Sequence, residues 1–207
     1  MTSAQGVTGG TALAPAFTEP VTDAARTFRA ILTAMAEPGK VLPLPSTVGT
    51  PPPMHPAMTA TLLTLCDTDT PVSFAPDLAS DAVRAFVAFH TGAPIVAVFD
   101  AAFHFAVSPL TNLPLDDFQQ GKQDYPDRSA TLVIEVDYLA PGSGARLTGP
   151  GIAGVARLGC PLFTPAFCEA WRCNNARFPR GVDLILTAQD TLAALPRTTR
   201  LHTHEEA

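Results

Sequence analysis

The stretch Arg146-Leu147-Thr148-Gly149-Pro150-Gly151-Ile152-Ala153-Gly154 constrains this chain more than any other. Pro150 fixes its own φ at about −65° and pushes Gly149 out of the helical region, while both flanking glycines accept φ values that strain other residues. The polar run before this corner, and Val155-Ala156-Arg157-Leu158 after it, therefore read as strands. A corner so poor in side chains lets another backbone, a phosphate or a partner subunit come close, and serves equally as a plain tight turn. Its glycines match the G-x-G-x-x-G spacing of a dinucleotide loop by letter. Proline at the second position and a strand-like exit remove the helix N-terminus that would hold a pyrophosphate, so no dinucleotide fold is expected.

Residues 130–136 are the strongest strand signal, rich in β-branched side chains. They lead through Tyr138 and a Gly-Ser linker at 141–144 into the corner. Ile95-Val96-Ala97-Val98-Phe99 is a continuous apolar run and is expected to be a buried central strand. Further strands are expected at 72–74, at 103–107 with His104 half-exposed opposite the phenylalanines, at 184–186, and at 40–44. The last belongs on an edge, because Pro43 is tolerated only there.

Four helices are expected. Residues 23–36, capped by Thr22, place Phe28, Ile31, Leu32 and Met35 on one apolar face and Arg26, Arg29, Thr33 and Glu37 on the other, and Pro38-Gly39 ends them. Residues 56–65 form the second. A third starts at Asp77 or Ser80, turns Leu78, Ala82, Phe86 and Phe89 inward, and stops at Gly92. The fourth, 164–175, carries Phe167, Cys168 and Trp171 and ends at Asn174-Asn175. Asp67 and Asp69 read as turn residues, and 45–53 and 109–127 as loops.

This order of helices and strands implies an α/β layered domain with a mixed sheet over residues 16–200, with a flexible arm at 1–15 and a flexible tail at 201–207. A chain of 207 residues suits one core. The formal net charge of -6 argues against a nucleic-acid surface, which needs clustered Lys and Arg. Charged residues are only 15%, which fits either an alanine-rich composition or a surface covered by other subunits. No signal peptide and no run long enough to cross a bilayer is present, so a cytoplasmic location is expected. The four cysteines form no C-x-x-C pair and read as reduced, mostly buried thiols. His202 and His204 lack further ligands, so no metal is expected.

Phosphate-loop, H-E-x-x-H and G-x-S-x-G motifs are absent. A pyridoxal phosphate enzyme needs a lysine held in a desolvated pocket. The chain offers only Lys40, behind a Pro-Gly helix stop, and Lys122, in the polar loop Gln119-Gln120-Gly121-Lys122-Gln123; both should be solvated.

Six segments now stand together in order: Phe28-Arg29-Ala30-Ile31-Leu32 through Glu37-Pro38-Gly39; His90-Thr91-Gly92-Ala93-Pro94; Tyr125-Pro126 with Ser129-Ala130-Thr131-Leu132; Leu147-Thr148-Gly149-Pro150-Gly151-Ile152; Phe178-Pro179-Arg180-Gly181-Val182-Asp183; and Leu195-Pro196-Arg197-Thr198-Thr199. Over residues 17–199 the chain resembles the H-subunit family of the phosphonate carbon-phosphorus lyase core complex. The resemblance implies a fold like that of the pyridoxal phosphate-dependent transferases with the cofactor machinery lost, hence no cofactor. It also implies G, I and J subunits as partners, a homodimer when isolated, and a required but non-catalytic role. The assembly replaces the adenine of ATP by a phosphonate, giving a ribose 1-phosphonate 5-triphosphate, and its chemistry is attributed mainly to other subunits. No catalytic residue is carried over.

As a ligand or interface edge we single out Gly149, Pro150, Gly151, Arg180, Asp183 and Arg197. Two proline-positioned arginines offer planar, bidentate donors suited to phosphonate or carboxylate groups. The competing account pairs Arg180 with Asp183 to hold a turn. Two other classes remain open: a stand-alone pyridoxal phosphate transferase using Lys40 or Lys122, and a small-anion-binding module built from the corner and Arg180.

Overall fold

A computed structural model describes residues 15–44, 48–109 and 113–202. Its helices are α1 (Pro20–Ala36), α2 (Pro56–Leu65), α3 (Asp81–His90) and α4 (Pro165–Asn175). Its strands are β1 (Leu42–Pro43), β2 (Val72–Phe74), β3 (Phe103–Val107), β4 (Thr131–Glu135), β5 (Ala140–Thr148), β6 (Ala156–Gly159), β7 (Asp183–Ala188), β8 (Thr191–Leu195) and β9 (Arg200–His202). Six strands form a sheet in the order β1-β8-β7-β4-β3-β2, and three form a second in the order β6-β5-β9. In the larger sheet β1, β2, β3, β4 and β7 run in one direction and β8, between β7 and β1, runs against them, so the expected α/β class with a mixed sheet holds.

Successive strand residues point to opposite faces, and both faces of the large sheet are covered. Phe105, Val133, Ile185 and Leu192 meet α1, α2 and α3 through Ile31, Met58, Leu62 and Phe86. Leu132, Ile134, Leu184 and Leu186 face the other way, onto Phe167 and Trp171 of α4 and onto Leu147 and Leu158 of the small sheet. The near-continuous apolar character of β4 follows from this double burial.

Several expectations need correction. Residues 95–99 are not a central strand: Ile95 makes a single bridge to Val72, Val98–Asp100 form one 3-10 turn, and Phe99 is 64% exposed. The chain must reverse there to lay β3 between β2 and β4. Helix α1 starts at Pro20, with Glu19 rather than Thr22 at its cap, and Asp23 Oδ2 accepts from Glu19 N at 3.0 Å. It buries Thr27, Ile31 and Ala34, leaving Phe28 and Leu32 about half exposed. Small side chains on the buried face allow close approach to its neighbours. Periodicity alone does not choose between two overlapping apolar stripes.

Helix α3 is capped by Ser80 and turns Val83, Phe86 and Val87 inward, so Ala82 and Phe89 are outside. The 141–144 linker belongs to β5, which shifts register between Pro141 and Ala145. Strands β8 and β9 were not expected from the sequence, and Leu201 and His202, placed in the tail, lie in β9. Residues 1–14, 45–47, 110–112 and 203–207, which hold most of the expected arm and tail and parts of two loops, lie outside the described residues. Among the described residues no helix is long and apolar enough to cross a membrane.

Candidate functional site

The Gly-Pro-Gly corner joins β5 to the segment before β6, with Gly149 at φ +140° and Gly151 at φ +80°. A Cβ on Gly151 would lie 1.9 Å from Ala36 O at the end of α1, and one on Gly149 would lie 2.8 Å from Thr198 O. The close approach that the sequence suggested is thus made by the chain's own backbone on two sides of the corner.

Arg197 organises the opposite wall. Its guanidinium donates through Nε to Asp183 Oδ1 (3.0 Å), through Nη1 to Pro126 O (3.0 Å) and Pro179 O (3.2 Å), and through Nη2 to Asp183 Oδ2 and Ser129 Oγ. Its backbone N–H donates to Asp183 Oδ1 as well, at 2.7 Å. All five guanidinium N–H groups are satisfied internally, so Arg197 presents no fork to a phosphonate. Asp183 is held by Arg197 and not by Arg180, which is exposed. The expected Arg180–Asp183 turn pair is therefore replaced by a longer-range one.

A cavity of about 510 Å³ opens beside this hub, lined by Gly149, Pro150, Phe178, Arg197, Thr198 and Arg200 among others. Three of the six singled-out residues, Gly149, Pro150 and Arg197, meet there. Gly151 lines a separate hollow with Glu37 and Lys40. Arg180 and Asp183 line neither. Asn174 and Asn175, read from sequence only as a helix stop, fix the floor. Buried Asn174 bonds Val182 through both N–H and C=O (2.9 Å each), and Asn175 Nδ2 donates to the carbonyls of Arg197 and Thr199. Trp171 Nε1 donates to Thr199 O at 2.8 Å.

Two buried ionisable groups are not foreseen from the sequence. Glu135, 3% exposed at the carboxyl end of β4, accepts from Thr187 Oγ1 (2.6 Å) and Gln189 N (3.0 Å), and His55 Nδ1 stands 3.2 Å from its Oε1. Burial pushes its carboxyl above the usual range, against the pull of these donors. Gln189 holds φ +54°, unusual for a non-glycine residue. Glu135 thereby ties β4, the β7–β8 turn and the residue capping α2 together. A single carboxylate inside the apolar run Val133-Ile134-Glu135-Val136 was the available signal.

His104 is buried, not half-exposed: its Nδ1 lies 2.9 Å from Ser73 Oγ and its ring packs on Phe118. Burial pushes it down to about 4, so the folded chain keeps it neutral. The unfolded chain takes up that proton first, near its ordinary value of 6.5. Stability is therefore complete above about pH 6.5 and falls as pH drops toward 4, by roughly 3 kcal/mol in all. Denaturant unfolding of His104→Gln at several pH values should show that decline largely removed; parallel curves for both proteins would refute the assignment.

Both lysines are exposed, and Lys40 Nζ pairs with Glu37 at 3.0 Å. Cys66 and Cys160 are buried with thiols pushed up to about 12 by burial, whereas Cys168 is half-buried and Cys173 exposed. No group of three or more metal-type side chains occurs among the described residues.

Comparison with known proteins places these features in a family context. The family described as "Bacterial phosphonate metabolism protein (PhnH)" matches residues 15–202, a span holding the corner, the Arg197 hub and the cavity. The alpha-D-ribose 1-methylphosphonate 5-triphosphate synthase subunit PhnH of Rhizobium meliloti (strain 1021) is 40% identical over 190 residues, covering 90% of this chain and 94% of its own. The putative C-P lyase subunit protein HtxG of Stutzerimonas stutzeri is 31% identical over 175 residues, covering 84% of each chain.

Proposed function

The chain belongs to the bacterial phosphonate metabolism protein (PhnH) family, and from that premise we propose that it is a required, non-catalytic subunit of a bacterial carbon-phosphorus lyase complex. In this role it supports transfer of a phosphonate onto the ribose 5-triphosphate of ATP with release of adenine. The observation that carries the proposal is 40% identity, across nearly the whole of both chains, to a synthase subunit of that name. Its direct partners are the G, I and J subunits, it pairs with itself when isolated, and it works in the cytoplasm. Its fold is a pyridoxal phosphate-dependent transferase fold that has lost the cofactor site, a reading supported by the solvated Lys40 and Lys122.

The site chemistry supports a non-catalytic role. Arg197 and Asp183 are engaged with each other, His104 is buried and held neutral, and Glu135 is enclosed in the fold. Exposed Phe28, Leu32 and Phe99 suit a surface that other subunits cover. The expected result is that the chain co-purifies with coexpressed G, I and J subunits, that omitting it abolishes adenine release from ATP and methylphosphonate, and that the chain alone releases none. Adenine release by the isolated chain would overturn the non-catalytic assignment.

A further inference from the structure

The small sheet carries a charge pattern that sequence order conceals. Arg146 of β5 stands opposite Arg157 of β6 on one side and His202 of β9 on the other, and Thr148 stands opposite Arg200. Leu147, Leu158 and Leu201 pack on the core, so by strand alternation Arg146, Arg157, Arg200 and His202 share the outer face. Arg157, Arg146 and His202 stand in one line across the sheet, two inter-strand spacings or about 10 Å long, and Arg200 lies two residues from His202 along β9.

Like charges directly opposite one another on a sheet repel. No ion pair among the described residues involves Arg146, Arg157 or Arg200. Arg157 donates to Gly144 O at 3.2 Å, a neutral acceptor, and has no carboxylate partner among the described residues. This concentration stands out in a chain with 13 Lys and Arg against 19 Asp and Glu. Two residues farther along the strands the next outward pair, Thr148 and Arg200, lines the 510 Å³ cavity, and Phe178, 64% exposed, stands on that cavity's wall.

We propose that the outer face of the β6-β5-β9 sheet is a polyphosphate-binding site, with the triphosphate of a nucleotide lying along Arg157, Arg146 and Arg200 and its base against Phe178. Guanidinium groups spaced along neighbouring strands match a linear chain of phosphoryl groups, each of which accepts bidentate donation. The cavity has the volume of a small-ligand site, and an exposed aromatic ring offers a stacking platform for any base. That the anion is a nucleotide rests on the proposed function; that it is a polyphosphate rests on the arginine row.

Calorimetric titration of the full chain with inorganic triphosphate, ATP and adenosine tests the site. Inorganic triphosphate and ATP should bind, adenosine should not, and both affinities should fall as salt rises from about 50 to about 200 mM. Arg146→Gln combined with Arg157→Gln should weaken both anions by about tenfold or more, and Phe178→Ala should weaken ATP alone, by about tenfold. These side chains lie on the outer face, so an unchanged thermal midpoint certifies folding; Arg200→Gln is the substitute if the pair disturbs it.

No binding by the wild-type chain at low salt, or ATP affinity indifferent to the arginine changes, overturns the proposal. ATP affinity indifferent to Phe178→Ala removes the base from Phe178. If anion binding fails while co-purification with the partner subunits survives, this site falls and the complex role stands. If co-purification fails while anion binding survives, the reverse holds.

Discussion

Gly151→Ala is expected to destabilise the chain by about 3 kcal/mol or more. Two costs combine. A left-handed φ of +80° strains any residue with a Cβ, by roughly 1–2 kcal/mol. The added carbon would sit 1.9 Å from Ala36 O, so either the corner or the end of α1 must shift. Forced rearrangement of a packed region costs typically about 1–3 kcal/mol. Gly154 provides a matched control, because it has the same φ of +80° and a Cβ there would meet nothing within 4 Å. Gly154→Ala should therefore lose only the strain. Urea midpoints for the two variants decide the matter: equal losses would mean that α1 does not press on the corner.

Arg197→Ala is expected to cost about 3 kcal/mol, the lower end of the range for removing one partner of a buried ion pair, because this pair keeps 12% and 16% of its side-chain surface exposed. Asp183 would lose its guanidinium partner with its side chain only 16% exposed, and the carbonyls of Pro126 and Pro179 would lose their donor. Arg197→Lys should rescue little. A lysine ammonium is a point charge with three donors, and it does not span the fork that reaches Asp183, Ser129 and two carbonyls at once. Denaturant unfolding of both variants, with Asp183→Asn as the third corner of a cycle, measures the coupling. A lysine variant as stable as the wild type would show that charge alone matters at this hub.

The parts of this fold that were legible in the sequence are those in which local pattern and tertiary burial agree. Residues 131–135, buried on both faces, announce themselves by composition, and α2 appears over the expected residues 56–65 because proline, a short apolar run and a polar turn bracket it. Periodicity misled where more than one face satisfied it. Phe28 and Leu32 have the spacing of core residues, yet α1 buries the smaller Thr27 and Ala34 instead. For residues 95–99, hydrophobicity indicated burial, while the place in the sheet was decided by the return path of the chain.

The candidate site was half legible for the same kind of reason. The corner's glycines signalled close approach, but which backbone approaches is a tertiary fact. Arg197 and Asp183 were both singled out, yet their pairing across 14 residues, with Ser129 and Pro126 still farther off, has no periodic signature. The arginine row is the extreme case. Arg146, Arg157 and Arg200 become neighbours only through strand register, and in an acidic chain their scatter left no cluster to single out.

The pairing of β1 with β8 sets a schedule for biosynthesis. Leu42 and its partner Leu192 are about 150 residues apart in the chain, a separation that ribosomes translating at about 5–20 residues per second cover in roughly 8–30 s. During that interval β1 has no strand to pair with, and Ile31 of α1 lacks Leu192 and Ala194 of its core cluster. The nascent N-terminal third therefore waits with apolar surface uncovered. Closure of the sheet edge by β8 is a late event, and premature termination before it would leave a segment suited to chaperone capture rather than to assembly.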